Sequence, residues 1–395
     1  MSTTTKAAFG HGRNPRLTLD HFLHQPMANP PKILIVTAAF GEGHNSAARS
    51  LASALQEAGA VTRVDDPCLT GSPIFTKALA AGYRWITTHG PKVWEWIYHF
   101  ADHCNLGGPP KLFLRGPLNA MLRAVREFQP DAIVSTYPLY PYFMPDVRQA
   151  CGRKLPVFTV ITDSIEINAT WLRAESDLWL VTDPATRAVL TSKGIPAEKV
   201  LDTGFPVHPS FSRLGTVPAT DSCKPFRVLY FPTSKLPLVR RHSRAILDAS
   251  PDVHLTLVLG KNVRLLYAKA REIKAAYPGR VRILGWTRRV PSLMSRHHLV
   301  IGKAGGATVH EAIAARCPML IHHLVPGQEQ GNLDLLNTLG CGTLTTNPEA
   351  IRSSVTSLLA ADATRWRSMK ESLVRYNRHA GAATATAAIL SRLRG

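Results

Sequence analysis

Residues 32–38 read KILIVTA, an unbroken apolar run followed at once by a glycine-rich turn, FGEGHN, and an amphipathic stretch. A strand that is apolar on both faces must be covered on both, as happens inside a parallel sheet flanked by helices. Behind the turn, Ala47, Ala48, Leu51, Ala54, Leu55 and Ala58 share one side at helical spacing, and Gly59 ends the helix. Further strands are expected at residues 131–135, 157–162, 178–182 and 200–203, with helical stretches between several of them. A second series starts near Phe226. Its strands are expected at residues 227–231, 254–259, 281–284, 298–301 and 318–322, its helices at 263–277 and 308–316, and a helical C-terminus from about Pro348. Such alternation is the pattern of an α/β layer over a mainly parallel sheet.

A chain of 395 residues is long for one core, so two domains are expected. The reading is a mobile tail over residues 1–31, a first Rossmann-like domain over 32–208, a linker over 209–225, a second Rossmann-like domain over 226–362 and a C-terminal helix over 363–395. Pro209 and Pro218 and the lack of periodicity mark the linker. Doubly wound domains hold ligands at the carboxyl ends of their strands, so two of them facing each other enclose a cleft.

Composition narrows the class. No apolar run approaches the roughly 18 residues that span a bilayer, and the polar N-terminus has no apolar stretch of signal-peptide length. A cytoplasmic protein is expected. The six cysteines form no C-x-x-C pair, which fits reduced thiols rather than a disulfide framework or a zinc site. Lys plus Arg number 47 against 27 Asp plus Glu, a balance of +20. That charge either forms a solvated basic surface or draws the chain to polyanions: anionic lipid, nucleic acid or phosphorylated substrates. No zinc-finger spacing or RNP1-like pattern occurs, so nucleic acid is not an expected partner.

Two segments carry most of the chemistry. Residues 301–312, IGKAGGATVHEA, run from a strand through glycines into a helix. Glycines let a phosphate approach the backbone, a helix N-terminus offers free N–H groups, and Lys303 adds a full charge. Residues 326–332, PGQEQGN, follow the next strand and pack Gln328, Glu329, Gln330 and Asn332 into one loop, where a sugar ring can be read by paired hydrogen bonds.

Together these motifs resemble a known family. KAGGAT at 303–308, Glu311-Ala312 and PGQE at 326–329 are similar to the K-A-G-x-x-T-x-x-E-A and P-G-Q-E signatures of the monogalactosyldiacylglycerol synthase and processive diacylglycerol glucosyltransferase family, relatives of the bacterial peptidoglycan GlcNAc transferase. GEGHNSAA at 41–48 resembles its G-x-G-H-x-x-A loop. Thr162-Asp163, Thr170-Trp171 and GFPV at 204–207 resemble its middle block. The resemblance spans about residues 32–345. It implies a GT-B fold, a UDP-sugar donor and a glycerolipid acceptor. It also implies that Glu311 binds the ribose, that the turn of Gly305, Gly306 and Thr308 holds the diphosphate beside Lys303, and that Gln328 and Glu329 meet the sugar, with Asn332 in the same loop. Gly41, Gly43, Tyr137, Asn168 and Trp171 fall on the acceptor side.

The chain departs from the family pattern at three places. Asn168 stands where relatives carry a histidine before the T-W pair, and Tyr137 where they carry one ahead of a proline. FPTSKLP at 231–237 replaces a glycine-rich turn, so Thr233 and Ser234 offer hydroxyls to a phosphate in place of open backbone.

The implied reaction is an inverting hexosyl transfer with His44 as base and Asp163 as second base or as the group orienting it, since an alcohol needs a proton acceptor near the transition state. An unperturbed imidazole titrates near pH 6.5. His44 is equally readable as a helix-opening histidine bonded to backbone. No Asp-x-Asp pair occurs, and His99 and His103 lack a third ligand, so neither metal nor separate cofactor is expected. Residues 94–100, WEWIYHF, with Lys111, Arg115, Arg123 and Arg126, suit an anionic membrane surface and a peripheral location on its cytoplasmic face, or else an aromatic patch of core. Two other readings share these motifs: a UDP-sugar enzyme with a soluble acceptor, or an epimerase, and a family member that binds UDP-sugar without turnover.

Overall fold

The structure is a computed structural model that describes residues 29–101, 112–233 and 236–394. Most of the expected tail, with Ser234, Cys104, His103 and Lys111, lies outside the described residues.

Among the described residues twelve strands form two six-stranded sheets, every pair parallel. The first sheet holds β1 (Lys32–Val36), β2 (Val61–Asp65), β3 (Ala132–Ser135), β4 (Val157–Val160), β5 (Leu178–Val181) and β6 (Val200–Asp202), in the order β2-β1-β3-β4-β5-β6. The second holds β7 (Phe226–Tyr230), β8 (Val253–Val258), β9 (Val281–Leu284), β10 (Leu299–Lys303), β11 (Met319–His323) and β12 (Gly342–Leu344), in the order β12-β11-β10-β7-β8-β9. Both sheets reverse their winding once, between β1 and β3 and between β7 and β10. Those reversals open crevices at the carboxyl ends of the strands. The turns singled out in the sequence leave from these strand ends.

The apolar runs are strands for the reason expected: Ile33 to Val36 are wholly buried, and so is every residue of β3, β4 and β5. The expected strands are present within one or two residues at each end. β2 and β12 had no apolar run to announce them. They are sheet edges, mostly half-exposed, and one-sided burial leaves no continuous hydrophobic signature.

Eight helices bear on the site: α1 (Glu42–Glu57), α2 (Pro73–His89), α3 (Pro91–Ala101), α4 (Val290–Arg296), α5 (Gly306–Ala314), α6 (Gln330–Thr338), α7 (Pro348–Tyr376) and α8 (Gly381–Arg394). α7 breaks at residues 360–363, where Ala361, Asp362 and Ala363 take positive φ. α8 returns to the first sheet, and its Ala385, Ile389 and Leu390 pack with Ile33 and Leu51. In the stretch read as a linker, Val217 and Cys223 sit in the core of the second sheet.

The two halves meet through backbone. At Gly306 an added Cβ would stand 2.5 Å from the Thr162 carbonyl oxygen, and one at Gly331 would collide with the Ser164 carbonyl. Only glycine permits this approach, which clamps the first turns of α5 and α6 on the loop after β4.

Candidate active site

The turn between β1 and α1 divides two cavities. Glu42 and Ser46 line one of about 760 Å³, with Arg49, Trp286, Arg288, Thr308 and Glu311. Phe40 and His44 line another of about 530 Å³, with Tyr137, Asp163, Asn168, Trp171 and Gln328. Gly43 sits on the divide, where a Cβ would lie 3.9 Å from the Ala307 nitrogen in the first turn of α5. Gly41 caps α1 with extended backbone and no side chain.

The larger cavity is charged on one side and apolar on the other. Glu311 stands in the second turn of α5 and accepts a hydrogen bond from the Ser46 hydroxyl at 3.4 Å. Burial pushes its carboxyl up to about 7. Val258, Val290 and Met294 form an apolar wall, and the Arg288 guanidinium lies 5.5 Å over the Trp286 ring. This wall was not read from the sequence. Residues 285–289 follow β9, and position after a strand's carboxyl end was the signal available. Thr308 lines the cavity, as does Phe231 directly after β7, and Thr233 follows two residues further on without lining it.

Other residues expected here make contacts within and between the loops. Lys303 follows a register shift at the end of β10, and its ammonium donates to Glu329 Oε1 at 2.9 Å. Glu329 is buried, and its Oε2 accepts the Val325 N–H at 3.0 Å. Both oxygens thus help to hold the loop. Asn332 is buried and donates to the Ala304 carbonyl at 3.0 Å. Gly305 caps α5 beside Lys303 and Glu329. Gly306 serves the contact with Thr162.

The smaller cavity is aromatic. His44, in the first turn of α1, is buried, with Nδ1 2.8 Å from the Thr136 carbonyl and 2.9 Å from the Thr162 hydroxyl. A carbonyl only accepts, so the neutral ring carries its proton on Nδ1 and leaves the Nε2 lone pair free. Among the described residues nothing bonds Nε2. Burial, opposed by the Thr136 hydrogen bond, lowers the imidazole to about 4, well under the ordinary value from which the sequence reading started. Tyr137 packs edge-on against this ring at 5.2 Å and stacks on Phe40. Asp163 accepts the Trp171 indole N–H at 3.2 Å, and burial raises its carboxyl to about 7. Asn168 accepts from the Thr170 N–H and hydroxyl and donates to the Tyr98 carbonyl, so it caps the turn that carries Trp171.

From the inner end the cavity runs between α2 and α3, past Phe75, Leu79, Trp94, Ile97 and Phe113, to the surface. On the same two helices Ile74 is 86% exposed, Trp96 67% and Trp85 64%. Lys77, Arg84 and Lys92 are exposed on the same two helices. Among the described residues no helix is long and apolar enough to cross a membrane.

Among the described residues one cluster has metal-ligand chemistry: ligand atoms of Asp221, Cys223 and His298 lie within 4.8 Å of one another. His298 Nδ1 accepts the Arg227 N–H at 2.9 Å, so Nε2 keeps its proton and donates to Asp221 at 2.9 Å. The Arg227 guanidinium, 3.8 Å from Asp221, already supplies the cation.

Comparison with known proteins follows the same lines. Residues 44–207 match the family model described as monogalactosyldiacylglycerol (MGDG) synthase. A processive diacylglycerol beta-glucosyltransferase of Bacillus licheniformis is 26% identical over 353 residues, covering 86% of this chain and 90% of that protein. The Bacillus subtilis protein of that name is also 26% identical, over 350 residues, with the same coverage. Among solved structures, a UDP-GlcNAc 2-epimerase of Neisseria meningitidis bound to UDP-GlcNAc superposes with a TM-score of 0.58 at 14% identity, over 91% of this chain and 100% of its own. A Streptomyces nogalater glycosyltransferase gives 0.56 at 16%, over 92% and 100%. The fold is GT-B, and the resemblance read from the motifs holds along most of the chain.

Proposed function

We propose, from a chain that resembles the monogalactosyldiacylglycerol synthase and processive diacylglycerol glucosyltransferase family and has a GT-B fold, that this protein is an inverting hexosyltransferase moving a sugar from a UDP-sugar to a diacylglycerol-type lipid. One observation carries the reading: a single glycine turn separates a cavity suited to a nucleotide from an aromatic cavity that opens onto exposed apolar helices. An epimerase or a transferase to a soluble acceptor has no use for the second.

In this reading Glu311 accepts the ribose hydroxyls, and uracil lies along the Val258, Val290 and Met294 wall near Trp286. The diphosphate meets the first turn of α5, whose free N–H groups oppose the charge that develops as UDP leaves. The lipid hydroxyl reaches the inner end of the aromatic cavity. Its oxygen bonds to the anomeric carbon as the bond to the β-phosphate oxygen breaks, and His44 Nε2 takes its proton. Asp163, held by Trp171, orients the hydroxyl. Tyr137 and Asn168 have packing and capping roles, so these two departures from the family pattern are compatible with a formed cavity. Charge stabilisation by the helix N-terminus needs no metal, and transfer is expected to persist in EDTA. Incubation with several UDP-sugars and diacylglycerol vesicles, with products identified by mass, tests the reading. A glycosyl diacylglycerol supports it, and free isomerised nucleotide sugar contradicts it.

Membrane attachment follows as peripheral, through the exposed apolar and basic residues of α2 and α3 and the +20 balance. Sedimentation with anionic vesicles should show binding that weakens from low to high salt, because exposed charges are screened beyond about 10 Å at 0.1 M. Ile74→Ser with Trp96→Ser should weaken it further at every salt concentration. Salt-insensitive binding, or equal binding to neutral vesicles, contradicts this attachment.

A further inference from the structure

The donor-sugar loop does not stand on its own domain. Tyr83, on α2 of the first half, donates its hydroxyl proton to Gln328 Oε1 at 2.8 Å. The adjacent Gly327 has φ of 75°, and a Cβ there would lie 3.0 Å from the ring of Tyr98 on α3. Trp94 meets the Tyr83 ring edge-on at 4.7 Å and fixes its direction. Gln328 also lines the cavity shared by His44 and Asp163. Of the two side chains expected to meet the sugar, Glu329 is held from its own half by Lys303 and Val325, whereas Gln328 is held from the other half by Tyr83.

An unanchored glutamine amide presents either its oxygen or its nitrogen to a ligand, because half a turn about its last bond exchanges them. With Oε1 taken by a donor, the amide presents its NH₂, and only a sugar oxygen placed to accept is satisfied. We infer that Tyr83 is a positioning residue for donor-sugar selectivity: it acts through Gln328, from the acceptor half of the protein, to decide which hexose hydroxyl the loop reads. The inference rests on the transferase reading above and names the specificity device of that site. Burial pushes the Tyr83 phenol up to about 12, so it remains a donor throughout the working pH range.

Tyr83→Phe keeps the ring against Trp94 and removes only the hydroxyl. Selectivity between two UDP-hexoses epimeric at C4, measured as the ratio of kcat/KM values, should fall about tenfold, the worth of one hydrogen bond. Calorimetry should show UDP affinity unchanged and affinity for the preferred UDP-hexose reduced. The double variant Tyr83→Phe with Gln328→Ala should match Gln328→Ala alone, since one acts through the other. An unchanged selectivity ratio, equal losses for UDP and UDP-hexose, or additive effects in the double variant would overturn the inference. Wild-type protein that binds UDP-hexoses selectively but transfers to no lipid would overturn the transferase reading, while the calorimetric comparison still decides the role of Tyr83.

Discussion

His44→Ala should cut sugar transfer by roughly 10²–10⁴, the usual worth of a positioned general base, while leaving UDP affinity nearly intact. The two halves of this expectation come from the same turn. His44 faces the aromatic cavity, whereas Glu42 and Ser46, two residues to either side, face the other. His44→Gln is the sharper probe, because it keeps a hydrogen-bonding group and loses the titratable site. The pH profile separates His44 from Asp163. The imidazole is lowered to about 4, so its base form prevails at every pH above that value. The carboxyl is raised to about 7, so its base form prevails only above 7. With His44 as base, kcat at saturating donor holds from pH 8 to about pH 5. With Asp163 as base, it falls about tenfold per unit below pH 7, and Asp163→Asn abolishes that limb. If His44→Ala abolishes UDP binding instead, the turn is a phosphate cradle and the assignment of the cavities is reversed.

Glu311→Ala should weaken UDP binding by about 1.5–3 kcal/mol, the range for hydrogen bonds to a charged group, or roughly 10- to 100-fold in Kd. The carboxylate is the form that accepts both ribose hydroxyls, and burial holds half of it protonated near pH 7. The gap between wild type and Glu311→Gln should therefore be widest at pH 8 and narrow as pH falls to 6, where the protonated acid resembles the amide. Isothermal titration with UDP reads both effects. Unchanged affinity in a folded Glu311→Ala protein removes the residue from the site.

The central strands were legible because they are buried on both faces, and an unbroken apolar run such as KILIV has little other use in an α/β chain. β2 and β12 were not, because a half-exposed edge strand carries a mixed sequence. The cavity-lining turns were legible as glycine-rich exits from strands, and Glu311, Thr308, His44 and Asp163, singled out in the sequence, line the two cavities. Individual roles inside the loops were less so. Lys303 and Glu329 each read as a ligand group when taken alone, yet a lysine and a glutamate 26 residues apart become one ion pair only once β10 and β11 lie side by side. Gly306 likewise read only as room for a phosphate, and nothing in the sequence announced that its Cβ side would face the Thr162 carbonyl. Tyr83 and Trp286 carried no local signal, since their relevance depends on which loop the fold brings to them.

The most direct test of the central claim follows the anomeric carbon itself. UDP-hexose labelled with ¹³C at C1, supplied with wild-type protein and diacylglycerol vesicles, is monitored by NMR. The proposed mechanism predicts that the α-linked donor signal gives way to a β-glycosidic signal in the lipid fraction, and that His44→Ala slows this conversion. A product retaining the α configuration, or label appearing only as free hexose or an isomerised nucleotide sugar, would contradict it.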